Sequence, residues 1–485
     1  MDAPIPLTDS AQPTTPSLER RVGLGSAVSL NMMNMIGVGP FITLPLVVAA
    51  MGGPQAILGW VLGALIAMCD GLVWAELGAA MPEAGGSYAF LREIYGRDGA
   101  GRWISFLYIW QLGFTAPLSI ASGCIGLAQY AAYLWPVLNT PVLGGHVHLV
   151  NVVAAATCLT AVALLYRNVG TIARMAWVMT AGVLFTNGAV IVSGATHFHP
   201  ALLVVPRSAV GLNAGFFAGL ATATLLTTYD YWGYYNVCFL GGEVKDPGRT
   251  IPRAVMWSIV IVAALYLAMN VSVSGVIPAT EMSRASAAKL AVVAVLMERT
   301  FGSAMAKVLA LLVMWTAFSS VFSLLLAYSR APYAAATDGN YFRAFARLHR
   351  RHHFPNVSLL ALGAVAAVFC FFSLSRVIAA LVAIRILLQY VLQQIGVIVL
   401  RVRRPEMARP FRMWLYPLPP LAATVGFLFI LFSRPDASRE MVYAAVVAAT
   451  GSVLYLWRAR RRKEWPFGNT FGRKIGRAGS KAKQI

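Results

Sequence analysis

Charge is scarce in this chain. Only 12% of its 485 residues are Asp, Glu, Lys or Arg, and just 18 are acidic, whereas soluble domains have about 25% charged residues. With 58% hydrophobic residues and a mean hydropathy of +0.68, most of the chain belongs in lipid. Cysteine is scarce as well. All five (Cys69, Cys124, Cys158, Cys238 and Cys370) fall in apolar stretches without metal-ligand spacing, so they read as small core residues rather than disulfides or zinc ligands. Catalytic signatures are missing too: there is no His-Glu-x-x-His, Gly-x-Ser-x-Gly, Walker loop or paired Cys-x-x-Cys. His349, His352 and His353 share a basic loop with Arg347, Arg350 and Arg351, and His197 and His199 lie in another loop; neither group has acidic companions. An enzyme is therefore disfavoured. No transit segment and no short apolar run with a cleavage site is found, so the first long apolar stretch reads as both signal and anchor.

What is present is a series of long apolar segments. A membrane-crossing helix needs about 20 mostly apolar residues, and twelve segments qualify: 25–50, 55–80, 102–135, 148–166, 170–193, 212–240, 253–277, 302–336, 355–373, 376–400, 413–433 and 440–458. The expected fold is an all-α integral membrane protein of twelve transmembrane helices. If the N-terminus is cytoplasmic, 30 of the 39 Lys and Arg fall on the cytoplasmic side. This asymmetry predicts a multi-pass protein of the cytoplasmic membrane with both termini cytoplasmic. It accounts for the net charge of +21 without a nucleic-acid partner. The segment Arg458–Lys463 instead suits anionic lipid headgroups.

Two of the twelve segments are interrupted at mid-length. The first contains Ile36-Gly-Val-Gly-Pro-Phe41, where Pro40 lacks an N–H and clashes with the carbonyl four residues back. The sixth contains Thr227-Thr-Tyr-Asp-Tyr-Trp-Gly-Tyr-Tyr-Asn236. Interrupted helices five segments apart have opposite orientations, which is the pattern of an inverted five-plus-five repeat. The domain reading is a tail over 1–24, a first repeat over 25–193, a second over 212–400, two further helices over 413–458 and a basic tail over 459–485.

Asp230 is the most informative residue of these breaks. A carboxylate at mid-bilayer depth needs a cavity or a partner. It is a candidate counter-ion for a substrate ammonium, a candidate proton carrier, or a cap on the second half of its helix. Near Pro40 a helix restarts and presents free N–H groups, which suit a substrate carboxylate. Tyr229, Tyr231, Trp232, Tyr234 and Tyr235 form an aromatic wall around Asp230. Among other charges, Asp70 is expected to pair with a basic group and Glu76 to lie at the interface. Arg174 lies near a helix end, where snorkelling is the default. Arg385 is deeper and must face a cavity or a carboxylate. Ser319, Ser320 and Ser323 are expected to bond back to their own backbone.

These motifs together resemble the amino acid–polyamine–organocation superfamily over nearly the whole chain. Ile36–Phe41 is similar to its Gly-Ser-Gly-Ile-Phe break, and Glu76-Leu…Pro82…Gly85-Gly-Ser-Tyr88…Leu91-Arg92 to its signature after helix two. Tyr229–Asn236 resembles the Tyr-Gly-Gly-Trp-Asn-Tyr-Leu-Asn of L-type amino acid transporters. Glu243–Arg253, Arg330–Gly339 and Arg401–Arg412 extend the match. The resemblance implies a LeuT-like fold and secondary active transport by alternating access, with an amino acid or related amine as substrate. By position, Ile36, Gly37, Val38 and Gly39 would hold the substrate carboxylate, and Thr228, Tyr229, Asp230 and Tyr231, with Trp232 and Gly233 beside them, its amino group. Arg174 falls where proton-coupled members carry a lysine and Ser320 near its hydroxyl partner, so the implied coupling ion is H+ and no cofactor or metal is expected. Val38 and Pro40 depart from the pattern, and Asp230 stands where L-type members have glycine. A polyamine carrier using Asp230 as counter-ion remains an alternative, and a solute sensor that does not transport is a distant one. Oligomeric state is not legible.

Overall fold

The computed structural model describes residues 18–142, 147–167, 169–211, 213–284, 292–372, 382–433 and 437–468. It is helical almost throughout, and the only sheet among these residues is the two-residue pair β1 (Pro141–Val142) and β2 (Val147–His148). The twelve predicted segments fall largely on helix; residues 232–235 and 413–417 within them are not helical, and parts of 212–240, 355–373 and 376–400 lie outside the described residues. Seven helices are long and apolar enough to cross a membrane, or eight if the bent first pair counts as one span. Three apolar helices are shorter: α6 (Leu149–Leu165), α15 (Asn356–Phe369) and α17 (Leu418–Phe432).

The first segment is two helices, α1 (Leu24–Met35) and α2 (Gly39–Met51), bent by 50° at the break. Pro40, in the first turn of α2, is the physical cause. The break leaves carbonyls at the end of α1 without intrahelical donors, and other helices supply them. The Tyr266 hydroxyl of α10 (Pro247–Ser274) donates to the Met35 carbonyl at 2.8 Å. From α13 (Ser303–Tyr328), Ser320 donates to the Asn34 carbonyl at 3.4 Å and Ser323 to the Leu30 carbonyl at 2.7 Å. These two serines therefore reach across to α1, and only Ser319 bonds to its own helix, at the Trp315 carbonyl. The expectation of self-bonding fails for Ser320 and Ser323 because a broken helix beside them has free acceptors.

The sixth segment also breaks. α8 (Ala214–Tyr231) stops, residues 232–235 run without helix, and the short α9 (Asn236–Phe239) resumes. Gly233 has φ +131°, and a Cβ there would lie 2.8 Å from the Met35 backbone nitrogen, so only glycine lets this break touch the other one. Asn31 of α1 accepts the Val237 N–H at 2.9 Å, and the Asn236 amide donates to Ser323 at 2.6 Å. Both breaks are thus tied into one polar cluster inside the bundle.

α3 (Ile57–Ala80) packs along α8 and α10. Its contact with α8 is close: a Cβ at Gly59 would lie 2.7 Å from that of Ala223, and one at Gly63 would lie 2.6 Å from Thr227 Oγ1. The Thr227 hydroxyl also donates to the Gly59 carbonyl at 2.8 Å. α5 (Ala100–Leu134) packs on α13, and α18 (Ala437–Arg462) lies against α5. At one end of the bundle, arginines meet the carboxylates of the connecting loops. Glu76 is buried there, bound by Arg401 at 2.9 Å and by the Met413 N–H at 2.8 Å. Asp70 departs from expectation: its hydrogen-bond donors are the Tyr234 hydroxyl and the Gln394 amide, not a basic group.

Candidate functional site

The two breaks face each other. Ile36 is fully buried, and Gly37, Val38 and Gly39 are half-buried where α2 begins. A Cβ at Gly37 would lie 3.1 Å from Ser320 Oγ. The Val38 side chain packs so near α5 that a Cβ at Gly126 would lie 2.6 Å from it. On the facing break, Thr228, Asp230, Tyr231 and Trp232 are buried, and Tyr229 is 40% exposed.

Asp230 sits in the last turn of α8, one residue before the helix ends. Its Oδ2 accepts the Thr43 hydroxyl of α2. Its Oδ1 would lie 2.5 Å from a Cβ at Gly39, which places the carboxylate against the first turn of α2. That is the positive end of a helix dipole, where a negative group is favoured. The capping reading does not hold, because no backbone N–H of α9 bonds to this side chain and α9 has no side-chain cap. Among the described residues Asp230 Oδ1, Thr228 Oγ1, the Tyr231 hydroxyl and the Trp232 Nε1 have no hydrogen-bond partner. A group of buried polar atoms without mutual bonds is suited to receive a polar ligand.

Ser320 is at the break, but Arg174 is not brought to it. Arg174 is exposed on α7 (Val169–Thr196) and has no hydrogen bond or ion pair among the described residues. Further along α7, the Thr180 hydroxyl donates to the Ser29 carbonyl of α1 at 3.4 Å. The difference is about a turn and a half of helix, more than a position-by-position reading resolves. Sequence reasoning also missed Thr43, since nothing in the spacing links it to a residue 187 positions away. Arg385 is buried at 6% exposure and faces aromatic residues and a cleft, with no carboxylate partner among the described residues. Among the described residues no group of His, Cys, Asp and Glu could hold a metal ion.

Discontinuous helices that meet inside an apolar bundle, with buried polar atoms left unpartnered between them, are the arrangement found in helical membrane transporters. The chain belongs to the amino acid permease family, whose sequence profile matches residues 23–453. It is 30% identical to an uncharacterized transporter of Mycobacterium tuberculosis, over 93% of this chain and 95% of the relative. It is 26% identical to the serine/threonine exchanger SteT of Bacillus subtilis, over 86% and 91% of the two chains. The branched-chain amino acid permease BcaP of Lactococcus lactis is 25% identical, over 91% and 93%.

Proposed function

We propose that this amino acid transporter is a secondary active permease of the cytoplasmic membrane. In this reading it has twelve crossing helices, an inverted five-plus-five repeat and both termini cytoplasmic. It works by alternating access and couples transport to protons. The substrate lies between the breaks, its carboxylate toward the N–H groups at Gly37–Gly39 and its ammonium against the carbonyls near Thr228–Tyr231, with Asp230 beside them as the group that takes the proton. The single observation that carries this reading is the Asp230 carboxylate held by Thr43 against the first turn of α2.

That placement also supports a coupling chemistry. A substrate carboxylate and the ionised Asp230 compete for the same positive helix end. A proton on Asp230 removes the repulsion, and substrate and proton then bind together. Release of the proton on the other side restores the repulsion and expels the substrate. Arg174 has no part in this scheme, and Ser320 serves by holding the end of α1.

The test is uptake into proteoliposomes of labelled amino acids and of putrescine, with and without a pH gradient. Amino-acid uptake stimulated by an inward proton gradient is the expected result. Putrescine accumulation without amino-acid uptake would overturn it in favour of a polyamine carrier with Asp230 as counter-ion. Binding without uptake of any solute would point to a sensor.

A further inference from the structure

Three arginines are buried among the described residues: Arg92, Arg330 and Arg385. Arg92 is paired with Glu83 and Asp338, and Arg330 with Glu243. Arg385, on α16 (Val382–Arg403), forms no ion pair with any described carboxylate. Asp70 is occupied by Tyr234 and Gln394, and Asp230 by Thr43. A charge buried at membrane depth without a counter-ion is strongly unfavourable, and such residues mark solute pathways.

The surroundings of Arg385 fix its direction. Nε donates to Gln389 at 3.2 Å, and Nη2 donates to the hydroxyls of Tyr235 at 2.6 Å and Tyr328 at 2.5 Å. Its guanidinium carbon lies 5.1 Å from the centre of the Trp232 ring and 5.7 Å from that of Tyr328. Among the described residues nothing accepts a hydrogen bond from Nη1. The side chain lines a narrow cleft with Thr115, Ser119 and Ser122 of α5 and Tyr229 of α8. Tyr229 and Trp232 flank the break of the sixth segment, so the cleft adjoins the proposed site. A guanidinium held rigidly by aromatic faces with one edge left open is suited to a carboxylate.

We propose that this cleft is a side-chain subsite for an anion and that the substrates include amino acids with an acidic side chain. The proposal rests on the transport reading above: the breaks take the α-amino and α-carboxylate groups, and Arg385 takes the second carboxylate. The same guanidinium would repel the far end of a diamine.

The test uses the full-length protein in proteoliposomes with labelled glutamate and serine, each also as competitor of the other. Wild type is expected to take up glutamate, and glutamate to inhibit serine uptake. In Arg385→Gln the glutamate-to-serine uptake ratio should fall about tenfold or more, with part of it restored in Arg385→Lys. Should Arg385→Gln not fold, Ser119→Asp leaves Arg385 in place and puts a carboxylate in the same cleft; it should depress glutamate uptake relative to serine. Serine uptake without glutamate uptake or competition overturns the subsite and leaves the transport reading standing. Equal loss of both substrates in Arg385→Gln also overturns it, by making the residue structural. Uptake of no amino acid overturns the transport reading and the subsite together.

Discussion

Removing one partner of the buried Arg330–Glu243 pair should destabilise the protein severely, while removing both should not. Arg330 is 1% exposed and Glu243 0%. The pair is bidentate, with Nε on Oε1 at 3.0 Å and Nη2 on Oε2 at 3.1 Å. The remaining Arg330 donor, Nη1, reaches the Leu326 carbonyl at 2.9 Å and Ser329 Oγ at 3.0 Å. The Glu243 carbonyl in turn accepts the N–H groups of Arg21 and Val22, both at 2.9 Å. Arg330→Met strands a carboxylate that is fully buried and has no other described cation as partner, and should cost about 3–5 kcal/mol. Glu243→Leu strands a buried guanidinium, with a loss of the same order. The double variant removes both charges and should lose less than the sum of the singles by about 2 kcal/mol or more. The assay is equilibrium unfolding in mixed detergent micelles, followed by tryptophan fluorescence for the four proteins of the cycle. Single losses below about 1 kcal/mol, or strictly additive losses, would refute the reasoning, since exposed ion pairs behave that way.

Other perturbations act nearer the proposed site. Asp230→Asn should flatten the dependence of uptake rate on external pH, and an unchanged pH profile in proteoliposomes would remove Asp230 from coupling. Gly233→Ala combines a positive φ with a 2.8 Å approach to the Met35 nitrogen; it should reduce uptake by about tenfold or more while the protein remains monodisperse by size exclusion. Gly63→Leu would drive a side chain into Thr227 and Thr228 and should lower the melting temperature in detergent, with about 1–3 kcal/mol of overpacking.

What could be read beforehand was governed by local rules. Pro40 lacks an N–H whatever surrounds it, so the break between α1 and α2 was legible in the sequence. The break after α8 was legible as a region, and Gly233 is the residue that permits it. Asp230 was identified as an unusual charge, but its partner was not, because Thr43 approaches it only after two distant segments pack. Ser320 and Ser323 were misread for a related reason. Hydroxyls in a helix usually bond to their own backbone, and they depart from that habit here because α1 ends beside them with unsatisfied carbonyls. Arg174 failed by register, since a position matched along the chain says little about which way an arginine faces on its helix. Arg385 was recognised as needing a cavity or a carboxylate; the fold supplies the cavity.

The glycines of α3 have a consequence for how such a protein changes its substrate. With Gly59 and Gly63 pressed against Ala223 and Thr227, and the Thr227 hydroxyl bonded to the Gly59 carbonyl, α8 and α3 are seated backbone against backbone. The backbone that carries Asp230 is held like a jaw bolted to its frame. New preferences therefore have to come from exchanging side chains on that fixed jaw, or from the walls opposite it on α5 and α16, and not from moving the jaw itself.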